Sequence, residues 1–106
     1  MAKRLIWTKM SHKQKKEIFE FWNNRNKSKN YSRKLNDLFN EAAELLLLYP
    51  NLGKKMEIEN VRLKSVRDFG LVYRITKSEI QILTIWDFNR NPETLKNILI
   101  QIKIQD

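Results

Sequence analysis

Hydrophobic and polar positions are most regularly arranged between Val61 and Asn91, where the chain reads VRLKSVRDFGLVYRITKSEIQILTIWDFNRN. Val61 and Leu63 alternate with Arg62 and Lys64, the pattern of a strand with one packed and one solvated face. Phe69 to Ile75 forms a second run. Ile80 to Trp86 forms a third, so nearly continuous in its apolar residues that it suits a central strand covered on both faces. Val66 to Asp68 and Thr76 to Glu79 are the short connections between them. The segment therefore predicts an antiparallel meander.

Upstream the period changes to that of helices. After a brief apolar run at Leu5, Ile6 and Trp7, enough for one short strand, Ser11 and Gln14 have the spacing of a capping box. A helix is predicted from about Ser11 to Asn24. Its apolar stripe is Met10, Ile18, Phe21, Trp22 and Arg25, and Lys13, Lys16, Glu17 and Glu20 turn outward. The polar stretch Asn23 to Asn30 reads as a turn. Tyr31, Leu35, Leu38, Ala42, Leu45 and Tyr49 then recur at steps of three or four, widened by Leu46, which predicts a helix from about Lys29 to Tyr49. Pro50 ends it, because proline lacks the amide donor and biases Tyr49 away from helical geometry.

Asn51 to Asn60, with Gly53, reads as a loop crossing from helix to sheet. Asn91 followed by Pro92 is a helix start, and Leu95, Ile98, Leu99 and Ile102 keep helical spacing. Ile98, Ile100, Ile102 and Ile104 also alternate as a strand would. The sequence gives a helix through about Leu99 and leaves the remaining tail open. Together these elements predict one α+β domain spanning residues 1–106: an N-terminal strand and a helical hairpin packed on a small antiparallel sheet, with a short C-terminal helix.

Composition changes this picture in two respects. The chain has 106 residues and no cysteine, so it can form one core but neither a disulfide nor a thiolate metal site. No long apolar segment follows MAKRLIW, and a cytoplasmic protein without a membrane span is expected. The formal charge is +9, and it is unevenly spread. Residues 1 to 34 hold eleven Lys and Arg against Glu17 and Glu20, whereas residues 35 to 106 hold ten basic and ten acidic residues. A one-sided basic surface attracts polyanions over about 8 Å in physiological salt, so nucleic acid, a ribosome or an acidic protein are the partner classes to consider. Lys-rich helices that merely solvate themselves give the same composition.

Candidate chemistry is sparse. Only Gly53 and Gly70 are glycines, so there is no Gly-rich phosphate loop. His12 stands alone, and Glu57, Glu59 and Asp68 are scattered, so neither a metal nor another cofactor is expected. Ser11 beside His12 reads as a capping serine next to a surface histidine rather than a nucleophile with its base. The basic residues of the meander are the better lead: Arg62, Lys64, Arg67, Arg74 and Arg90. Alternation puts Arg62 and Lys64 on one face with Arg67 at the strand's end, where several cations could hold a phosphodiester and stabilise the charge that develops when it is attacked. The same residues would serve equally as a solvated face that discourages edge pairing.

Several stretches carry a resemblance to a known family. VRDFGLVYRI, the following EIQILTIWDFNRNPETL, the helix ending LLLLYPNLGKK, and the order strand, helical hairpin, meander, short helix together resemble the RelE/ParE superfamily of toxins from bacterial type II toxin-antitoxin systems. The resemblance covers nearly the whole chain. It implies growth inhibition by the free protein and neutralisation by a cognate antitoxin whose acidic or amphipathic segment wraps the toxin. In the ribonuclease branch, which cleaves mRNA on the ribosome without a metal, cations fall at positions matched by Arg62, Lys64, Arg67 and Arg90. That branch commonly adds a Tyr or His near the C-terminal end as general acid or base, and here no Tyr or His follows Tyr73. Asp87 is the nearest ionisable substitute, and Tyr73 itself reads as a core residue. The resemblance therefore implies a binding toxin of the ParE kind, acting on DNA gyrase or another target, with a ribosome-dependent endoribonuclease as the alternative. A member that retains only its antitoxin-binding surface is the third.

Overall fold

A computed structural model describes residues 3–90 and 92–105. Its order is β1 (Arg4–Trp7), α1 (Lys9–Asn26), α2 (Asn30–Leu48), a single 3-10 turn (Pro50–Leu52), β2 (Lys54–Lys55), β3 (Val61–Val66), β4 (Phe69–Ile75), β5 (Glu79–Asp87) and α3 (Pro92–Gln105). The five strands form one sheet in the order β1-β5-β4-β3-β2. Strands β2 to β5 pair antiparallel with one another, and β1 runs parallel to β5, with Leu5 beside Ile80 and Trp7 beside Ile82.

The meander stands where the pattern places it, with β3 extended to Val66 and the turn contracted to Arg67 and Asp68. The strand at the centre is β4, buried from Phe69 to Tyr73. Next to it, β5 carries one extra residue: Val72 lies opposite Thr84 but Tyr73 lies opposite Ile82, leaving Leu83 in a bulge. Such a bulge bends the strand and interrupts its ladder.

Thr8, not Ser11, starts α1. The Thr8 side-chain oxygen accepts from Ser11 N at 3.2 Å, while the Ser11 hydroxyl donates to Thr8 O at 2.9 Å. The Thr8 hydroxyl also lies 2.9 Å from Ile82 O and 3.0 Å from Leu83 O, so the cap is anchored on the bulge of β5. Gln14, freed from the predicted capping box, reaches the sheet instead. Its Oε1 accepts from Ile85 N at 2.7 Å and from the Thr84 hydroxyl at 3.0 Å. Strand β1 ends opposite Ile82, so Gln14 supplies the acceptor that β5 lacks beyond the end of β1.

Helix α2 packs with Leu35, Phe39, Ala42, Ala43 and Leu46 inward, joined by Ser32. The predicted stripe is therefore turned by about one residue: Leu45 and Tyr49 are exposed, and Phe39 and Ala43 take the core positions. Small residues fill part of this buried face: Ala42 and Ala43 join the core, and the Ser32 hydroxyl donates to Asn23 Oδ1 on α1, signals that a search for large apolar side chains passes over. The predicted stripe of α1 is likewise incomplete, since Met10 and Phe21 are exposed. Phe19 packs against the core with Ile18 and Trp22.

The two sheet faces differ. Phe69, Leu71 and Tyr73 of β4, with Ile80, Ile82 and Ile85 of β5, face the helical hairpin and form one core with α2. Val61, Val72 and Trp86 are buried on the other face. Helix α3 returns across it, and Lys103 near its end shares a cleft with Asn60, Arg74 and Ile75. The open tail is thus helical through Gln105, with Leu95, Ile98, Leu99 and Ile102 half-buried and Ile100 and Ile104 exposed. The expected cap at Asn91 lies outside the described residues. Within the predicted loop, Lys54 and Lys55 pair with Leu63 and Arg62 as a two-residue edge strand.

Candidate functional site

The five cations singled out from the sequence do not converge on one point. Arg62 and Lys64 lie opposite Tyr73 and Leu71, hence on the sheet face that carries the helical hairpin. Arg74 lies opposite Val61 and points to the other face, where it lines the cleft beneath α3 with Glu57, Glu59 and Asn60. Arg67 occupies the β3–β4 turn at φ 57° and is exposed. Exposed Arg90 follows β5, and its amide donates to Asp87 O at 3.0 Å.

Arg62 has a structural engagement that its charge alone does not announce. One guanidinium nitrogen donates to Gly53 O at 2.8 Å and to Asn51 O at 3.2 Å, fastening the segment after α2 to β3. Beneath it lies Tyr73, whose side chain is fully buried. The Tyr73 hydroxyl donates to Pro50 O at 2.6 Å and accepts from Gly53 N at 2.9 Å. Burial pushes the phenol above its ordinary pKa, and the Gly53 amide and the Arg62 charge both act in the opposite direction. A phenol so enclosed, with its donor and an acceptor lone pair both engaged, is not placed to exchange a proton with a bound phosphodiester.

Asp87 does not take over that role. Its carboxylate accepts from Asn89 N at 2.9 Å and shapes the turn leaving β5. Phe88 N donates to Asp68 O at 2.9 Å, which joins this turn to the one between β3 and β4. The end of α1 reaches the same place: Phe21, Trp22 and Arg25 line a cleft with Asp68, Phe69, Asp87 and Arg90. One pole of the molecule thus gathers Arg67, Arg90 and the α1–α2 connection, whereas Arg62 and Tyr73 sit towards the other.

Two contacts outside the meander tie α1 to its neighbours. Lys15 places its ammonium 3.7 Å from the centre of the Trp7 ring, and burial lowers its pKa. Trp22 meets Tyr31 edge-on at 4.8 Å between ring centres, locking the base of the helical hairpin. Neither contact was recoverable from spacing, because each joins residues on different elements. Among the described residues no group of three or more His, Asp or Glu side chains is placed to hold a metal ion, and no helix is long and apolar enough to cross a membrane.

Comparison with known proteins agrees with this architecture. A search of curated proteins found no significant match. Among solved structures, a chain from the chromosomal ParDE toxin-antitoxin system of P. aeruginosa is similar in fold, with a TM-score of 0.71 and 21% identity over 81% of this chain and 96% of that one. The family model for the ParE toxin of the type II toxin-antitoxin system parDE matches residues 5–92, from β1 to the first residue of α3. With its sheet, helical hairpin and most of its length under that match, the chain belongs to the ParE toxin family of type II toxin-antitoxin systems.

Proposed function

We propose that this protein arrests growth when free by binding its target, with DNA gyrase the first candidate, and that a cognate antitoxin neutralises it. The observation that carries a binding mechanism over an RNA-cleaving one is the enclosure of Tyr73. Its hydroxyl is engaged by Pro50 O and Gly53 N. Nuclease chemistry without a metal needs a general acid or base within hydrogen-bond reach of the reacting phosphate, and neither Tyr73 nor the turn-forming Asp87 offers one beside Arg62 and Lys64. Binding needs only exposed cations and shape. Arg62, Lys64, Arg67, Arg74 and Arg90 act as contact residues in this reading, with Arg67 and Arg90 the most accessible.

Two assays on the purified chain test the mechanism: DNA supercoiling by gyrase, and cleavage of mRNA on programmed ribosomes. Loss of supercoiling with intact mRNA is the expected result. Codon-phased cuts in the mRNA would replace the binding mechanism with the ribosome-dependent endoribonuclease. Induced expression without the antitoxin tests the toxin role itself, and normal growth in the presence of soluble, folded protein would end that reading.

A further inference from the structure

A dense run of positive charge lies at the tip of the helical hairpin, away from Arg62 and Lys64. Between Glu20 and Asp37 the chain has no acidic residue, while Arg25, Lys27, Lys29, Arg33 and Lys34 fall within ten positions. All five are exposed, and among the described residues none makes an ion pair. Lys27 closes α1 in the left-handed conformation, φ 51°, and the chain enters α2 three residues later, so the cations crowd around one tight connection. Exposed asparagines at Asn24, Asn26 and Asn30 lie between them and can donate hydrogen bonds.

Topology adds to this charge. Helix α1 runs along the sheet from the bulge of β5 towards the β3–β4 turn, so its far end shares a cleft with Asp68 and Arg90. Arg67 stands in that turn. Seven cations from three separate segments therefore share one pole, and the cleft beside them also holds three carboxylates, Asp68 and Asp87 from the sheet and Glu17 from α1. Arg25 also lies over the Trp22 ring, 5.7 Å from its centre. Like charges in excess of their counter-charges repel one another and gain most from a ligand that is itself a regular array of negative charge.

From this geometry we propose that the hairpin pole is a docking surface for the phosphate backbone of double-stranded DNA. A duplex presents phosphates at regular spacing on a rigid frame, which exposed Lys and Arg engage without reading sequence. Single strands are held chiefly by aromatic rings on which bases stack. Here Trp22 and Tyr31 are half-buried against each other, and the exposed ring, Phe21, stands edge-on to Trp22 in the cleft six residues before Lys27, which makes single-stranded DNA the competitor that decides between the two. An acidic peptide would need apolar anchors at the centre of its contact; the exposed Phe21 lies in the cleft with Arg90, while the residues from Asn24 to Asn30 offer amides and cations. Duplex RNA also carries regular phosphates, but in A-form geometry around a deep, narrow major groove, and it is therefore a competitor in the test. The surface adds to whatever the toxin binds through its sheet, and its test does not depend on the identity of that target.

The experiment measures binding of the full chain to a labelled 20-base-pair duplex by fluorescence anisotropy over a salt series, with single-stranded DNA, duplex RNA and polyglutamate as competitors. Charge reversal by Lys29→Glu, Arg33→Glu and Lys34→Glu together is expected to weaken duplex binding at least tenfold and to flatten the salt dependence by about two to three logarithmic units per decade of salt. Lys54→Glu, Lys55→Glu and Lys77→Glu together change net charge equally at exposed sites on the edge strand and on the β4–β5 turn, and should cost less than threefold. The glutamine versions of the three hairpin residues guard against a folding defect, checked by circular dichroism, and should give an intermediate loss. Equal losses from the two triple reversals would reduce the effect to net charge and overturn the proposal. Tighter binding of polyglutamate, single-stranded DNA or duplex RNA than of duplex DNA would overturn it as well.

Discussion

Tyr73 accepts a hydrogen bond from the backbone amide of Gly53 at 2.9 Å, across twenty residues of chain, and its own proton goes to Pro50 O at 2.6 Å. A single phenol in the central strand thus satisfies a donor and an acceptor on the segment that leaves α2. Replacement of Tyr73 by Phe keeps the ring and deletes both bonds, leaving the Gly53 amide without its partner. Unfolding in urea should show a loss of about 1–3 kcal/mol, which lowers the melting temperature by roughly 4–8 °C for each kcal/mol in a domain near this size. Under the proposed binding mechanism, gyrase inhibition by the surviving folded protein should be unchanged. A variant that keeps full stability but loses activity would instead place the phenol in the functional chemistry.

The same residue sets the behaviour of the fold at high pH. Burial raises the Tyr73 pKa above its unfolded value, so between the two values the folded chain binds more protons than the unfolded one. Its contribution is fully present below the unfolded value, about pH 10, and is lost as pH rises through the folded pKa. The difference in unfolding free energy between the native chain and Tyr73→Phe should therefore shrink above pH 10. A constant difference from pH 8 to 11 would contradict the sign of the shift.

Gly53 illustrates a glycine required for space rather than for backbone angle. Its φ of −75° suits any residue, but a Cβ there would lie 2.7 Å from both Cε1 and Oη of Tyr73 and 2.8 Å from Leu63 O. Gly53→Ala must displace the tyrosine or the strand, at about 1–3 kcal/mol. Combined with Tyr73→Phe, its cost should fall, because the same contact is damaged twice. Strict additivity of the two losses would show that the Tyr73 hydroxyl does not limit the space.

How far the sequence foretold this arrangement depends on the range of the interactions. Strands β3, β4 and β5 were legible because each carries its own run of apolar residues and each turn follows directly. Pairing of Leu5 with Ile80 was not, since a parallel neighbour brought back by two helices leaves no local trace. Ser11 and Gln14 matched a capping box by spacing, yet Thr8 caps the helix, because the bulge at Leu83 offers Thr8 two carbonyls and Thr84 and Ile85 claim Gln14. The cations were visible as residues, but their separation was not. Opposite faces of β3 and β4 send Arg62 and Arg74 apart, and the course of α1 brings Arg25 towards Arg90.

Gln14 invites a substitution that distinguishes its two functions. Gln14→Ala leaves Ile85 N and the Thr84 hydroxyl without their acceptor on an interrupted strand, and about 1–3 kcal/mol of stability should be lost. Gln14→Glu at neutral pH keeps an acceptor for both groups and loses only the bond its Nε2 donates to Thr84, 2.7 Å long. It should cost less than the alanine variant. Amide hydrogen exchange at Ile85 reports the local effect directly: fast exchange in the alanine variant and near-native protection in the glutamate variant. Equal exchange in the two would show that Gln14 does not protect this edge.

Arg67 allows stability and target contact to be separated in one residue. It holds φ 57° in the β3–β4 turn, a conformation that costs a side-chain-bearing residue about 1–2 kcal/mol and glycine almost nothing in steric terms. Arg67→Gly relieves that strain, while the extra freedom of the unfolded glycine offsets part of the gain. A net stabilisation of about 0.5–1 kcal/mol is expected, from the difference between those two costs. The substitution also removes an exposed cation from the pole shared with Arg90, so the more stable protein should inhibit its target less well. Urea midpoints and gyrase inhibition measured on one preparation decide the matter. A gain in stability with undiminished inhibition would remove Arg67 from the contact surface, and a loss of stability would show that its side chain, not only its backbone, holds the turn.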